Sequence, residues 1–495
     1  MISHDDLELP IRSPDWLRRR AGLTPERPAL LFGDQVWTWA ELDRRVDRLA
    51  GALADLGAGR ESRVGALLRN GPRYVELVHA LMRLGSTIMP LNTRLTAAEI
   101  AWQVEDVRAG LLIHDEHYEG VARSLQVSGL RTVPLESVGR RKPEGTDDEP
   151  PAGLSSVHAI MYTSGTTGRP KGAMLTYGNH WWSALASARN LGMREEDRWL
   201  LCLPMFHIGG LTILLRGVLY GMPVVLHPSF DEREVNRAID GGVTIVSLVP
   251  TMLQRVLDIR RQTPLPSTLR CVLLGGGPVR RRLLEACRER GVPVVQTYGL
   301  TETASQVATL APADALRKLG SAGKALSGTE IRIEREGLPL PAWEVGEIVV
   351  RGPTVMAGYF GRPDATQRAL RDGWLHTGDL GYVDSEGYLY VVDRRDDLII
   401  TGGENVYPSE VEAVLLAHPA VEMALVVGIP DETWGQTVAA AVKLKEGAAA
   451  GASELLALCR ERLAGYKVPR RLRFVDDLPR TASGKLLRWR VRDLV

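Results

Sequence analysis

The chain has 495 residues and a mass of 54.3 kDa, enough for two to four domains and a sizeable core, which excludes a small disulfide-stapled scaffold. Its 61 basic and 60 acidic side chains leave a formal net charge of +1, so no bulk field draws it to nucleic acid or to an anionic membrane. Any polyanion it binds is recognised locally, and eight of the 61 basic residues are lysines, which makes each lysine a marked position.

The acidic start MISHDDLELP carries no basic region followed by an apolar run, and the apolar stretch around Leu211–Leu226 is broken by Arg216, Gly217 and Gly221. Cys202, Cys271, Cys287 and Cys459 show no C-x-x-C spacing, so neither a disulfide framework nor a zinc site is expected. A cytoplasmic protein without membrane insertion and without nucleic acid as a partner fits these features. Oligomeric state stays open, a homo-oligomer included.

In chain order, the first segment alternates helices and short apolar runs. AELDRRVDRLAGALADLGA places Leu42, Val46, Leu49 and Leu53 at helical spacing, and RVGALL and GLLIH read as buried strands. Charges, Pro and Gly without periodicity between Val138 and Ser156 mark a linker or surface loop. Strands then recur at HAIMYT, RWLLCL, MPVVLH, VTIVSLV, RCVLLG and VPVVQTY, with helical stretches such as RRRLLEACRERG between several of them. That rhythm predicts a mostly parallel, helix-covered sheet. After Gly320, EIRIERE, GEIVVRG and GYLYVVDRR predict a small antiparallel element. The last 95 or so residues read as α, β, β, α, β, a unit able to fold as a separate lid. The expected fold class is therefore α/β: a large N-terminal domain of helix-covered mixed sheets plus an antiparallel element, residues 1–395, and a small α+β C-terminal domain, residues 396–495.

The first chemical motif is YTSGTTGRPKG, Tyr162–Gly172. Gly165 and Gly168 allow close backbone approach, Thr163, Ser164, Thr166 and Thr167 supply hydroxyl donors, and Lys171 adds a point charge. Together they suit a polyphosphate, and the spacing is not that of G-x-x-x-x-G-K-[ST], which disfavours kinase or G-protein chemistry.

Here the chain resembles the adenylate-forming superfamily of acyl-CoA synthetases, luciferase and peptide-synthetase adenylation domains. The further blocks LPMFHIGG, LLGGGP, TYGLTET, GWLHTGDLG, DRRDDLIITGGENVYP and LPRTASGKLLR follow in that family's order. The resemblance implies an ATP- and Mg2+-dependent acid–CoA ligase working through an acyl-adenylate. It places Tyr298 against adenine, with Gly299 and Thr301 in the same block, Glu302 and Thr166 on the magnesium ion, and Asp379 and Arg394 on the ribose. Gly275, Gly276 and Gly277 line the nucleotide or the acid; three residues without side chains leave a slot for a flat ring of either kind. Lys485 reaches the acyl carboxylate and the α-phosphate, Asp396 is the hinge, and Gly402 and Gly403 line a tunnel for the pantetheine of coenzyme A. His207 gates that tunnel without an acid–base role. Outside the family context, Gly378-Asp379 and Gly402-Gly403 read equally well as turns.

The stretches PDWLRRRAGLTPERPAL, TYGNHWWSALASARNLGMREEDRWLLCLPMFHIGGL, GVLYGMPVVLH, LLGGGP, TYGLTETASQV and KLGSAGKAL carry a closer resemblance, from residue 14 to the C-terminus, to bacterial 2-succinylbenzoate–CoA ligases of menaquinone biosynthesis, which implies 2-succinylbenzoate activated at its succinyl carboxylate. His207, Gly209, Gly275, Ser305 and Gln306 then border the acyl pocket. Arg216, Ser305 and Gln306 are candidates for the second carboxylate. Gly209 stands where the family commonly has Ser. Ligases for fatty acids or other aryl acids share the same machinery, and a non-catalytic adenylate binder is the alternative of a different class, disfavoured by an intact Lys485, Glu302 and Gly402-Gly403.

Overall fold

A computed structural model describes residues 15–139, 153–163, 170–261, 263–277, 279, 281–314, 317–394, 398–479 and 488–495. Two compact units emerge: one formed by Met1–Thr93, Val104–Met161 and Gly172–Asp393, the other by Arg94–Gln103, Tyr162–Lys171 and Arg394–Val495.

In the larger unit, the predicted amphipathic helix runs over Trp39–Asp55. Thr38 and Glu41 cap it reciprocally, side chain to backbone, and Leu42, Val46, Leu49 and Leu53 are all buried. A nine-stranded sheet has at its centre the strands Val294–Leu300, Cys271–Leu274, Ile245–Leu248, Trp199–Leu201, Val224–Leu226 and Pro28–Phe32, every neighbouring pair parallel. Ile245–Leu248 and Cys271–Leu274 are buried at every position, which is why CVLL is apolar throughout and IVSL carries one polar residue, Ser247, whose hydroxyl accepts the Trp199 Nε1–H at 3.0 Å. Antiparallel strands close both edges: Gln35–Thr38 at one, Ser305–Thr309 and Lys324–Ala325 at the other. A seven-stranded sheet runs Gly358–Tyr359, Lys171–Thr176, Val157–Thr163, Thr87–Pro90, Arg63–Leu67, Leu111–His114 and Arg131–Pro134.

The antiparallel element is six-stranded and includes Glu330–Arg335, Gly346–Arg351, Trp374–Val383 and Leu389–Arg394. Among the described residues no helix is long and apolar enough to cross a membrane. Cys202, Cys271, Cys287 and Cys459 are free and buried.

In the smaller unit, the long antiparallel pair Val421–Asp431 and Gly435–Leu444 is extended by Ile399–Thr401 with Glu404–Val406 on one side and by Arg471–Phe474, parallel, on the other. The helices Pro408–Leu416 and Ala452–Arg462 contribute Val411, Leu415, Leu455 and Cys459 to its core, with Val426, Val438, Ala440 and Val442 from the strands. The sequence order α, β, β, α, β is thus present as drawn.

Candidate active site

The parallel array of the larger unit ends with Val294–Leu300, and ligands of such sheets bind beyond the carboxyl ends of the strands. There the chain makes a tight 3-10 turn, Thr301–Thr303, and returns antiparallel as Ser305–Thr309. The reversal is so close that a Cβ on Gly299 would lie 1.6 Å from the Ser305 carbonyl oxygen, so only glycine fits. Ala304 and Ser305 adopt left-handed φ of 49° and 97°, backbone strain concentrated at the turn that presents Glu302. Glu302 is half-buried; its Oε1 accepts the Tyr359 hydroxyl at 2.9 Å, and its carbonyl accepts Met356 N–H at 2.8 Å.

Tyr298, buried on the preceding strand, donates its hydroxyl to Asp379 Oδ2 at 2.7 Å. Asp379 is held in turn by Thr377, whose Oγ1 accepts Asp379 N–H at 3.1 Å, and Gly378 adopts φ 74° with its N–H on Glu347 Oε1 at 3.1 Å. The TGD segment thus lies inside the strand Trp374–Val383, at an irregularity of its pairing with Gly346–Arg351, and is not the turn that its glycine also suggested.

Gly275 follows the strand Cys271–Leu274 and packs so tightly on Thr297 that a Cβ would stand 2.7 Å from its methyl; Gly276 has φ 75°, and Gly277 continues the same loop. His207 is the N-cap residue of the helix Ile208–Tyr220, its ring 4.7 Å from that of Phe206. A Cβ on Gly209 would meet only Leu203 at 3.6 Å, ordinary contact, whereas one on Gly210 would lie 2.2 Å from the Pro204 carbonyl oxygen. Close packing thus demands Gly210, and Gly209 is a free choice of the chain.

The same helix carries Arg216, 2% exposed. Its guanidinium donates to Ser183 Oγ at 3.2 Å, Ser183 donates to the Ala304 carbonyl at 2.7 Å, and the Trp199 ring lies 5.7 Å away. Arg216 Nε has no hydrogen-bond partner, no carboxylate pairs with the guanidinium among the described residues, and burial pulls its pKa below the ordinary arginine value. Gln306, 3% exposed, leaves both polar atoms of its amide unpartnered. The helix packs against Ser305–Thr309, so Arg216, Ser305 and Gln306 belong to one neighbourhood.

Within the smaller unit, Thr163 closes the strand Val157–Thr163 and Lys171 opens Lys171–Thr176; both are half-exposed, and Thr163 Oγ1 lies 3.5 Å from the Lys171 carbonyl. Ser164, Gly165, Thr166, Thr167 and Gly168 between them lie outside the described residues, as do Asp396 and Lys485. Arg394 ends the strand Leu389–Arg394, with its side chain outside the described set. Gly402 and Gly403, φ 58° and 85°, form the two-residue turn of the hairpin Ile399–Thr401/Glu404–Val406. A Cβ on Gly402 would stand 2.7 Å from the Trp434 ring, so the turn glycine is also a packing glycine.

Tyr359 and Ser183 went unread in the sequence. Tyr359 sits in GYFGRP after a glycine, a weak turn signal, and nothing local marks Ser183.

No group of three His, Cys, Asp or Glu side chains able to hold a metal occurs among the described residues. Magnesium is commonly held by one or two carboxylates together with substrate phosphates and water, and the half-exposed Glu302 carboxylate, an oxygen donor, fits that use.

Residues 17–360 match the model of the AMP-binding enzyme family, and residues 410–485 match its C-terminal domain. The chain is 52% identical over 487 residues to the 2-succinylbenzoate–CoA ligase of Geobacillus kaustophilus, covering 97% of this chain and 98% of that one. Among solved structures it is similar to o-succinylbenzoate CoA synthetase from Bacillus subtilis. A double mutant of that protein bound to its product analogue OSB-NCoA matches with TM-score 0.92, at 46% identity over 97% of this chain and 98% of the other. Its complex with ATP and magnesium ion matches with TM-score 0.75, at 46% identity over 97% and 99%. Family models over both parts of the chain and relatives matched over nearly their whole length show that the chain belongs to the AMP-binding enzyme family, with the adenylate-forming fold.

Proposed function

We propose that the protein is an ATP-dependent 2-succinylbenzoate–CoA ligase. Relatives that carry this name over nearly their whole length support the reading. In the first step a carboxylate oxygen of the succinyl arm attacks the α-phosphorus of ATP; a P–O bond forms, the α–β phosphoanhydride bond breaks, and pyrophosphate leaves. In the second, the coenzyme A thiolate attacks the acyl carbon of the mixed anhydride, a C–S bond forms, and AMP leaves. Tyr298 and Asp379 hold the adenosine, Arg394 assists at the ribose, and Thr163, Lys171 and the hydroxyls of the intervening loop hold phosphates. Glu302, with Thr166, holds magnesium, which supplies charge neutralisation between the carboxylate nucleophile and the triphosphate. Lys485 neutralises the carboxylate and α-phosphate in the first step. The second follows rotation of residues 396–495 about Asp396, which brings Gly402 and Gly403 to the pantetheine. The buried free thiols suit a reducing cytoplasm.

The observation that carries the choice of acid is Arg216. A buried guanidinium without a carboxylate partner is expensive unless a ligand provides the anion, and 2-succinylbenzoate retains an aryl carboxylate after its succinyl arm is activated. Pyrophosphate release measured over a panel of acids, with and without coenzyme A, tests this directly. Turnover is expected on 2-succinylbenzoate; strong turnover on decanoate with none on 2-succinylbenzoate refutes the reading. Arg216→Met is expected to lower kcat/KM for 2-succinylbenzoate by about a hundredfold, from losing a charged partner worth about 3 kcal/mol, while slow turnover of 4-oxo-4-phenylbutyrate, which lacks only the aryl carboxylate, changes little.

A further inference from the structure

One segment fastens both Glu302 and the strand that leaves the phosphate loop. Residues 353–360 pair with that strand: Ala357 N–H donates to the Met174 carbonyl at 2.9 Å, Phe360 N–H donates to the Gly172 carbonyl at 2.8 Å, and Tyr359 lies opposite Ala173. Asn179 anchors the front of the segment through Nδ2, which donates to the carbonyls of Pro353 and Val355 at 2.8 Å each. From this support Met356 N–H holds the Glu302 backbone and Tyr359 holds the Glu302 carboxylate.

We propose that Tyr359 is a positioning residue for the metal-binding carboxylate: its hydroxyl fixes the plane of Glu302 relative to Gly172–Met174, so that the carboxylate meets a magnesium ion on the ATP phosphates without reorganisation. The proposal rests on the assignment of Glu302 to the metal. A carboxylate has about four lone-pair sites, and the phenol occupies one on Oε1. A hydrogen bond to an ionised acceptor is shorter and stronger than a neutral one, so it holds the carboxylate in one rotamer at little cost to its charge. The backbone of Tyr359 is placed independently of its hydroxyl: its N–H donates to Thr366 Oγ1 at 2.9 Å, and the strand pairing needs no side chain. A phenylalanine would fill the same half-buried volume, so packing alone does not call for the hydroxyl.

Tyr359→Phe tests the proposal. The magnesium concentration giving half-maximal pyrophosphate release is expected to rise about tenfold, the change that follows from losing one hydrogen bond to a charged group. The rate lost at low magnesium is recovered at high magnesium, and the affinity for Mn2+ in the presence of ATP alone, read by electron paramagnetic resonance, falls by a similar factor. The KM for the acid and the thermal midpoint stay where they are. Tyr359→Phe combined with Glu302→Gln is expected to bind Mn2+–ATP no more weakly than Glu302→Gln alone. An unchanged magnesium dependence and Mn2+ affinity in Tyr359→Phe, or a full additional loss in the double variant, overturns the proposal. Should Tyr359→Phe fail to fold, Thr366→Val loosens the backbone that presents Tyr359. It is expected to shift Mn2+ affinity in the same direction by a smaller factor, and no shift overturns the proposal as well. A wild-type protein that releases no pyrophosphate with 2-succinylbenzoate refutes the substrate reading instead, and the Mn2+–ATP comparison still decides the role of Tyr359.

Discussion

Tyr298 and Asp379 are 81 positions apart in the chain and share a hydrogen bond of 2.7 Å between buried groups. Both were legible as motif residues, in TYGLTET and TGD, but the bond between them was not, because neither motif says which strand lies beside it. The bond ties the tyrosine hydroxyl to the carboxylate that we propose for the ribose. Tyr298→Phe keeps the ring and deletes that bond. Its KM for ATP is expected to rise about tenfold with a smaller change in kcat, in steady-state kinetics at saturating acid and coenzyme A. Arg216 shows the same division. Its letter was visible inside an apolar run, whereas its burial without an acidic partner, the fact that makes it a ligand candidate, is a property of the packed helix.

At the scale of elements, a cluster of charges organises the smaller unit. Lys467, 4% exposed, donates to Glu99 Oε1 at 2.6 Å and to Glu410 Oε1 at 2.7 Å, and Arg94 pairs with Glu404 at 3.0 Å. Burial raises the Glu410 carboxyl above the usual range despite the lysine beside it. Glu99 also caps its own helix, with Oε2 accepting Thr96 N–H at 2.8 Å, so one carboxylate starts a helix and neutralises a buried lysine. Lys467→Met leaves the buried Glu410 and the half-buried Glu99 without their cation. By the usual cost of breaking a buried pair it should destabilise this unit by about 3–5 kcal/mol, read as a lowered midpoint in urea denaturation. Lys467 stood out in the sequence because lysines are scarce, yet its partners Glu99 and Glu410 lie 368 and 57 positions away and carried no signal. The hairpin glycines Gly402 and Gly403 were better marked: two consecutive glycines after the apolar LII suit a turn with positive φ, one of the two readings open in the sequence.

For the whole molecule, the larger unit buries three imidazoles close together. His158 lies 4.9 Å from His180 between ring centroids, and desolvation pushes the His158 pKa well below its ordinary value, that of His180 down to about 3 and that of His79 down to about 4. The folded state holds these rings neutral while the unfolded chain protonates them near pH 6.5. Stability from this group is therefore complete above pH 6.5 and is lost as pH falls through 6.5 towards 4, by up to about 4 kcal/mol per pH unit for three protons. Thermal midpoints measured between pH 8 and 4 should stay level above 7 and drop steeply below 6, and His158→Gln should flatten the drop.

By itself the sequence determined the fold class and the family and marked many of the strands and helices in chain order, because these depend on local periodicity and on ordered motifs. A short apolar run followed by glycines, such as CVLLGGG, suits a doubly covered strand, and GTTGRPKG, TYGLTET and TGD each carry their spacing within a few residues. Only the tertiary structure decided which residues act on one another. Tyr359 on Glu302, Tyr298 on Asp379, Ser183 between Arg216 and Ala304, and Lys467 between two glutamates are all contacts between distant segments. Their physical basis is desolvation: a polar group is pressed to find a partner only once packing has removed water, and which partner is near is set by strand order, not by neighbours in the chain.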